Sequence, residues 1–375
     1  MALSELWAGL TKGLAAFTLG NALMIAIGAV LIALAIVKQY EPVLLLPIGF
    51  GCIVANIPLT GMTEGQGLFA VLYRAGISTE LFPLLIFVGV GAMIDFSPLL
   101  SQPKMVLLGA AGQFGIFGTL LLATLLGFPL NQAASIGVIG AIDGPTAIFV
   151  SSKLAPEMLA PIAVAAYSYM SLIPIIQPPI MRLLTTKEER RIRMEYTPRP
   201  VSRRALILFP VAVTLVTGLL VPDAAPLISM LMLGNLLRES GVVDRLRKSA
   251  ENEIINVTTL FLGLTIGSTM AASTFLHWDT VVVMGLGLLA FVLDTVAGLL
   301  FGKLMSVLSG RTINPLIGAA GISAFPMAGR VAAKMAQDED FENFILMHAM
   351  GANTAGQLGS VLAGGVLLML VTGLM

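Results

Sequence analysis

Long apolar stretches separated by short polar segments recur along the whole chain. No Asp, Glu, Lys or Arg occurs from Met105 to Ile142, from Met158 to Met181, or from Ala349 to Met375. A helix needs about 20 apolar residues to cross a bilayer, and each of these stretches supplies one or more. The pattern predicts candidate spans at roughly 20–38, 43–58, 81–99, 104–127, 131–153, 158–182, 205–221, 226–240, 255–275, 280–303, 312–335 and 343–374.

The expected fold is an all-α polytopic membrane protein with about 10–12 transmembrane segments, because helices satisfy their own backbone hydrogen bonds in lipid. The segments at 43–58 and 226–240 are short, so the pattern leaves open whether both cross fully. The first 19 residues, with Trp7 and Lys12, predict an interfacial amphipathic helix, and the apolar run that follows predicts a retained span.

The composition agrees with this class. Of the 375 residues, 57% are hydrophobic and only 11% are charged, and the mean hydropathy is +0.94. Soluble domains carry about 25% charged residues, so too few charges are present to cover a water-facing surface. The single cysteine excludes an intramolecular disulfide, and two distant histidines exclude a zinc-type cluster. A net charge of zero without a basic tail predicts no nucleic-acid partner, and the expected surroundings are membrane lipid.

Basic residues concentrate in one long polar loop between the two halves of the chain. They are Arg182, Lys187, Arg190, Arg191, Arg193, Arg199, Arg203 and Arg204. Cytoplasmic loops carry an excess of Lys and Arg, so this loop is expected on the cytoplasmic side. A second basic cluster, from Arg238 to Lys248, lies on the same side if the two spans between them both cross.

The two halves of the chain contain similar segments. Ile136–Glu157 aligns without a gap over Ile317–Asp338. The identical pairs are Ile136/Ile317, Gly137/Gly318, Gly140/Gly321, Pro145/Pro326, Ala147/Ala328, Val150/Val331, Lys153/Lys334 and Ala155/Ala336. Apolar composition explains matched alanines and valines, but it does not explain matched glycine, proline and lysine. The better interpretation is an internal duplication.

This duplication predicts an organisation in four parts. They are an amphipathic helix with a first span at 1–41, membrane repeat 1 at 42–182, a basic cytoplasmic loop with a linker span at 183–225, and membrane repeat 2 at 226–375. Counting every apolar run makes the repeats parallel. An inverted pair, which mechanism favours, requires an odd number of spans between equivalent helices, so one short segment would fail to cross.

The matched segments carry glycine and proline in mid-span, where these residues break a helix. Backbone groups freed at membrane depth are tolerated only inside protein or against a cavity. Transporters with two interrupted helices bind their substrate between them near the midplane. Each repeat is therefore expected to contribute one broken helix to a central site, and the alternative is a pair of proline kinks used only for packing.

Polar groups inside the breaks define the candidate chemistry. Asp143 precedes Gly144-Pro145 after a long uncharged stretch, and an intramembrane carboxylate is a functional candidate by default. Its alternative role is to cap the helix that Pro145 begins. Asparagine and serine oxygens with one carboxylate suit a hard monovalent cation, above all Na⁺, whereas two or more carboxylates would indicate Ca²⁺ or Mg²⁺. The polar residues of the second break are Asn314, Ser323 and Arg330.

The helices that follow the two breaks add further polar side chains. They are Tyr167 and Tyr169 in the first half and Asn353 and Gln357 in the second. With a three-residue insertion Tyr169 aligns with Asn353, so polar positions repeat as well. Asp294 is expected in mid-span with its role left open, whereas Asp95 lies near a span end, where a solvated carboxylate needs no explanation.

Four long segments resemble the β subunit of the biotin-dependent sodium-pumping decarboxylases, whose complexes act on oxaloacetate, glutaconyl-CoA or methylmalonyl-CoA. They are GAIDGPTAIFVSSKLAP, AAYSYMSLIPIIQPPIMRLLTTKEER, INPLIGAAGISAFPMAGRVAAK and HAMGANTAGQLGSVLAGG. The resemblance covers nearly the whole chain from Pro42 onward. It implies that a partner transfers a carboxyl group to biotin, and that this chain decarboxylates carboxybiotin while moving Na⁺ outward and taking up a proton.

The resemblance also implies roles for particular residues. Tyr169 is expected to relay the proton, and Arg330 to hold the carboxylate of carboxybiotin, since a guanidinium recognises carboxylates bidentately. Together with Asp143 these would be the catalytic residues. The positions expected to form the Na⁺ site, which binds Na⁺ in turn with the proton, are Asp143, Asn314, Gly318, Ser323 and Asn353.

The implied partners are a biotin-carrying subunit, a carboxyltransferase subunit and a small single-span membrane subunit, with several copies of this chain in the complex as a homo-oligomer. The implied location is the bacterial inner (cytoplasmic) membrane. Without the resemblance, the residues also fit a cation/proton antiporter or a Na⁺-coupled organic-anion carrier, which would need neither partner nor biotin. A non-catalytic scaffold subunit would have no need of Asp143.

Overall fold

The computed structural model describes residues 11–141, 143–195 and 200–374, and within these ranges all regular secondary structure is helical, as predicted. The first half contains α1 (Leu19–Val37), α2 (Pro42–Ala55), α3 (Leu68–Leu72), α4 (Leu81–Met93), α5 (Ser97–Ser101), α6 (Met105–Ala111), α7 (Phe114–Leu125), α8 (Leu130–Gly137), α9 (Gly144–Leu154), α10 (Leu159–Leu184) and α11 (Lys187–Arg190). The second half contains α12 (Arg203–Leu220), α13 (Ala225–Ser240), α14 (Asp244–Ser249), α15 (Ile255–Ser268), α16 (Ala272–Phe275), α17 (Trp278–Leu308), α18 (Met327–Glu339) and α19 (Leu346–Leu374).

Several of these helices can cross a membrane. Within the described residues, five stretches are long and apolar enough: α1, Met105–Leu125, α12, α17 and α19. The number rises to seven if two bent pairs count as one span each, namely α3 with α4 and the two parts of α10. The α2 helix is apolar but has only 14 residues. The chain is therefore a polytopic α-helical membrane protein.

Local sequence sets several helix ends. The hydroxyl of Thr18 accepts a hydrogen bond from the amide of Asn21, at 3.2 Å, and begins α1 with a capping box. Ser202 caps α12 in the same way. Gly241 ends α13 at a φ of +66°, a left-handed conformation that glycine adopts without a Cβ penalty. The chain therefore turns back at once into α14.

The first interrupted segment is a hairpin. It runs through α8 and a 3₁₀ turn at Val138–Ala141, and then returns as α9. The side-chain amide of Asn131 donates to the carbonyl oxygen of Leu154, at 2.9 Å, so the two ends of the segment meet. Residues 130–154, here called hairpin 1, therefore enter the helical bundle and return, and the predicted span at 131–153 does not cross.

The second interrupted segment has the same form. It consists of a 3₁₀ helix at Pro315–Ala320 followed, after a break, by α18. Asn314, before the first part, donates to the carbonyl oxygen of Arg190 at 2.9 Å. The guanidinium of Arg190 binds the carboxylate of Glu339, at the end of the second part, at 2.6 Å. Residues 314–339, here called hairpin 2, thus also begin and end together, and the span predicted at 312–335 does not cross.

Helices of the first half pack against helices of the second half. The α2 helix packs against α15 and α13 against α4, while α6 packs against α19 and α10 against α17. Contacts advance in the same direction along α2 and α15, from Leu44 beside Gly263 to the Asn56 amide that donates to Met270 at 2.8 Å. These two helices are therefore parallel.

Basic side chains gather at one end of the molecule, here called the basic end. Arg203 donates to the carbonyl oxygen of Ser240, at 2.9 Å, and so joins the start of α12 to the end of α13. The long polar loop and the second basic cluster consequently lie at the same end, where hairpin 2 also has its base. Hairpin 1 has its base at the opposite end, where Lys153 pairs with Glu80 at 3.1 Å.

Candidate functional site: the tips of two hairpins

Asp143 lies at the tip of hairpin 1, where the 3₁₀ turn gives way to α9. It is the N-cap residue of that helix, with Pro145 in the first turn, but its side chain makes no capping hydrogen bond. The carboxylate is 6% exposed. The helix-capping role considered for Asp143 stays a prediction, and its carboxylate also has side-chain partners.

Side chains from both halves of the chain donate hydrogen bonds to this carboxylate. The hydroxyl of Thr146 donates to Oδ2 at 2.7 Å, and the amide of Gln357 donates to Oδ2 at 2.8 Å. Thr146 belongs to hairpin 1, whereas Gln357 comes from α19 in the other half of the chain. Hydrogen bonds to an ionised oxygen are stronger than hydrogen bonds between neutral groups. Donors from both halves of the chain therefore hold the carboxylate in position.

Hairpin 2 meets hairpin 1 at this point. The Ser323 hydroxyl, at its tip, donates to the carbonyl oxygen of Ala141. On α19, one turn before Gln357, the amide of Asn353 donates to the carbonyl oxygen of Ile322 at 2.7 Å, and its own Oδ1 is buried without a hydrogen-bond partner. The hairpin tips thus bring together one carboxylate and several neutral oxygens.

A cavity of about 390 Å³ reaches these groups. Its lining includes Asp143, Ser323 and Gln357 together with Tyr167. The ring of Tyr167 packs over Gly144, where a Cβ would overlap it, so the glycine next to the carboxylate allows this approach. The cavity makes the hairpin tips accessible to a small solute.

The remaining predicted site residues lie elsewhere. Asn314 is at the base of hairpin 2, where its Oδ1 accepts the Leu316 amide and its Nδ2 holds the polar loop. Gly318 packs against α17, and a Cβ there would overlap the carbonyl oxygen of Gly298. Neither residue lines the cavity at Asp143.

Tyr169 and Arg330 also stand apart from the cavity lining. The Tyr169 hydroxyl donates to the carbonyl oxygen of Met284 in α17, at 2.5 Å. Arg330 is exposed on α18, the limb of hairpin 2 that leads from the tip back to the basic end. The structure therefore brings together Asp143 and Ser323, with Asn353 beside them, but not the other four residues.

Sequence reasoning missed Thr146 as a partner of Asp143. Its position three residues after the carboxylate at the start of a helix was the available signal, because such residues face each other. Tyr167 was noted only as a polar residue near Tyr169. Nothing in the sequence could tell which of the two tyrosines faces the hairpin tip.

Two further carboxylates, Asp294 and Asp95, are considered in the sequence analysis as site candidates. Asp294 is fully buried in mid-helix on α17, where one oxygen accepts the Gly115 amide at 2.5 Å and the other has no partner. Asp95 accepts the amide of Ser97, at 2.8 Å, in the turn after α4. Asp294 therefore holds α7 close to α17, and Asp95 lies just after the end of α4.

The protein is thus a polytopic α-helical membrane protein in which two hairpins meet at a buried group of oxygen atoms. Within the described residues, no group of three or more His, Cys, Asp or Glu side chains could hold a metal ion. The donors at the tips are thus one carboxylate with neutral hydroxyl, amide and carbonyl oxygens, a set that suits a monovalent cation.

The chain belongs to the family of Na⁺-transporting oxaloacetate decarboxylase beta subunits, whose sequence profile matches residues 20–371. It is 52% identical over 362 residues to the glutaconyl-CoA decarboxylase subunit beta of Acidaminococcus fermentans, with 96% of each chain covered. It is 52% identical over 361 residues to the methylmalonyl-CoA decarboxylase subunit beta of Veillonella parvula, again with 96% coverage of both. It is 47% identical over 410 residues to the oxaloacetate decarboxylase beta chain of Klebsiella pneumoniae, covering 93% of this chain and 94% of the other. The resemblance inferred from sequence is thereby confirmed.

Proposed function

We propose that this chain is the membrane subunit of a primary sodium pump, a biotin-dependent Na⁺-translocating decarboxylase. It couples decarboxylation of carboxybiotin on a partner subunit to outward Na⁺ movement and takes up one proton. The proton replaces the carboxyl group that leaves as CO₂, so the reaction is balanced. Family membership supports the coupling, and the site at the hairpin tips supports the ion.

The single observation that carries the proposal is the environment of Asp143. One oxygen of its carboxylate accepts hydrogen bonds from both halves of the protein, and the carboxylate lines a cavity through which a cation can reach it. A carboxylate that accepts either Na⁺ or H⁺ can exchange one for the other. Moving one charge against 100 mV requires about 2.3 kcal/mol, which a decarboxylation can supply.

The other site residues take supporting roles in this proposal. Ser323 and the unpartnered Oδ1 of Asn353 are the remaining side-chain ligands for Na⁺. Asn314 and Gly318 act on the site through the base and the packing of hairpin 2, a change from the ligand role expected for them. Two roles carry over unchanged: Tyr169 relays the proton, and Arg330 binds the carboxylate of carboxybiotin.

We further propose that the two halves are inverted repeats. Each half contributes five crossing helices and one hairpin. Because five is an odd number, equivalent helices of the two halves cross in opposite directions. The crossing helices are α1, α2, α4, α6–α7 and α10 in the first half and α12, α13, α15, α17 and α19 in the second. The parallel packing of α2 on α15 supports this. The helix equivalent to α2 is α13, and α13 and α15 are successive crossing helices that run in opposite directions. The boundaries expected at 42 and 226 would then move to the starts of α1 and α12.

The proposed assembly follows from the family. The partners are biotin-carrying and carboxyltransferase subunits and a small single-span membrane subunit, with several copies of this chain, in the cytoplasmic membrane of a bacterium. The relatives are named for three different decarboxylases at comparable identity. Choice of the substrate therefore belongs to a partner subunit.

The test is an Asp143→Asn variant in the reconstituted complex. An amide can still ligate through its oxygen but cannot exchange a proton, so Na⁺ uptake into proteoliposomes and Na⁺-dependent decarboxylation should both be lost. Asp95→Asn, which changes a turn at the basic end, serves as the control and should keep both activities. Na⁺ transport at the wild-type rate in Asp143→Asn would contradict the proposal.

A further inference from the structure

The cavity at the hairpin tips extends to the basic end of the molecule. Its inner part is formed by the buried groups around Asp143 and Ser323. Its outer part is formed by the end of α4, the start of α2 and the start of α15, where Val43 is 57% exposed and Met93 is 43% exposed. Met93 also accepts a hydrogen bond from Arg238 of the second basic cluster. The cavity therefore opens among basic side chains.

Two carboxylates line the outer part of this cavity, and together we call them the acidic mouth. Glu41 precedes α2, and Glu251 lies in the π-helical turn that joins α14 to α15. Glu251 pairs with Arg247 at 2.8 Å, whereas no ion pair or hydrogen bond to the Glu41 carboxylate is found among the described residues. The acidic mouth thus places two carboxylates at the rim of the cavity, at the end of the molecule that carries most of the Lys and Arg side chains.

A second group points to a ligand in the same passage. Tyr167 lines the cavity and is 2% exposed, and its buried hydroxyl has no hydrogen-bond partner in the protein. Its ring lies against Gly144, next to Asp143, so the hydroxyl lies between the acidic mouth and the carboxylate. A buried hydroxyl without a partner is costly, and water or a hydrated ion in the cavity would satisfy it.

The charges at the rim of the cavity would affect a cation that approaches it. Clusters of Lys and Arg repel a cation that approaches the basic end, and that repulsion is felt over a Debye length of about 8–10 Å. A cleft lined by charges of one sign inside a low-dielectric wall concentrates the opposite ion locally. Two carboxylates at the rim would therefore offset the repulsion just where the passage begins.

We propose that Glu41, Glu251 and the Tyr167 hydroxyl form a receiving site for a hydrated monovalent cation, through which Na⁺ passes from the basic end to Asp143. This inference rests on the proposed function and deepens it, because it assigns the route by which the pump loads. The site is distinct from the hairpin tips: it collects the ion, whereas Asp143 exchanges it.

The experiment measures decarboxylation by the purified complex as a function of Na⁺ concentration, at low ionic strength and with added choline chloride. Glu41→Gln should raise the half-saturating Na⁺ concentration by about three- to tenfold at low ionic strength, more than it lowers the maximal rate. The difference should shrink in choline chloride because salt screens the carboxylate. Tyr167→Phe should also raise the half-saturating concentration, without loss of thermal stability, since no hydrogen bond within the protein is removed.

Glu253→Gln is the matched control, because Glu253 lies in the same π-helical turn, is exposed, and does not line the cavity. It should leave the Na⁺ dependence unchanged. An equal effect of Glu253→Gln would overturn the proposal in favour of a general surface potential, and so would an unchanged half-saturating concentration in Glu41→Gln. If Asp143→Asn is inactive while Glu41→Gln behaves as wild type, only the receiving site fails. If Asp143→Asn still transports Na⁺, the proposed function itself fails.

Discussion

Among single residues, Asp143 is held in place by side chains from both halves of the chain. Thr146 and Gln357 both donate to its Oδ2. Donated hydrogen bonds favour the ionised carboxylate, which is the form that binds a cation. Removal of one donor should therefore weaken Na⁺ binding without removing a ligand.

Thr146→Val tests this at the residue scale, since valine keeps the shape and loses the hydroxyl. A hydrogen bond to a charged group contributes about 1.5–3 kcal/mol, so the half-saturating Na⁺ concentration should rise about ten- to hundredfold. Thr119→Val is the control, because Thr119 is equally buried and its hydroxyl has no partner. Identical Na⁺ dependence in Thr146→Val and wild type would remove Thr146 from the ion site.

At the scale of elements, hairpin 2 is held by close backbone contact with α17. Gly318 and Gly298 face each other so closely that a Cβ on Gly318 would overlap the Gly298 carbonyl oxygen. Gly302 on the next turn of α17 lies against the same 3₁₀ helix. In membranes such small-residue contacts replace the hydrophobic effect as the force that joins helices. The position of the hairpin tip depends on this contact.

Gly318→Ala should therefore lower the thermal stability of the detergent-purified complex. Overpacking of this kind costs about 1–3 kcal/mol. Activation by Na⁺ should weaken only to the extent that the substitution displaces hairpin 2. Gly285→Ala, on the exposed face of α17 where a Cβ meets nothing within 4 Å, should be neutral or slightly stabilising. A Gly318→Ala protein with a wild-type melting temperature but a lost Na⁺ response would instead make Gly318 a direct participant in the ion site.

At the scale of the whole molecule, charge is distributed unequally between the two ends. The basic end holds the long loop, the second cluster and the base of hairpin 2, whereas the opposite end carries Lys12, Arg74 and Lys153 in the described chain. From the excess of Lys and Arg we propose that the basic end faces the cytoplasm. With this orientation the acidic mouth opens to the cytoplasm, and hairpin 1 has its base on the outer side.

Single cysteines test this orientation. Cys52 is the only cysteine and is buried, so Cys52→Ala provides a background without thiols. Thr63→Cys, in the exposed loop after α2, should react with a membrane-impermeant thiol reagent on intact cells. Lys248→Cys, at the basic end, should react only after the membrane is opened. Labelling of both positions from outside would contradict the inverted arrangement as well as the orientation.

The amino-acid pattern alone predicts that this protein lies in a membrane, where its two interrupted segments fall, and that Asp143 is the candidate residue for the site. Hydrophobicity, helix breaking and the cost of a carboxylate in lipid are local properties, so they can be read at each position. Asp143 and Ser323 are predicted in this way, and the structure places both on one cavity; the matched glycines and prolines lie in the two hairpins.

Which segments cross and which side chains meet depends on how distant parts of the chain pack together. An apolar run has the same composition whether it spans the bundle or turns back, and the return of the hairpins is fixed by distant partners such as Asn314 with Arg190. Tyr167 and Tyr169 are two residues apart on one helix, about 200° around its axis, and only the packing of α10 sets which one faces Asp143. The contribution of Gln357 likewise depends on two halves of the chain meeting, which no local pattern encodes.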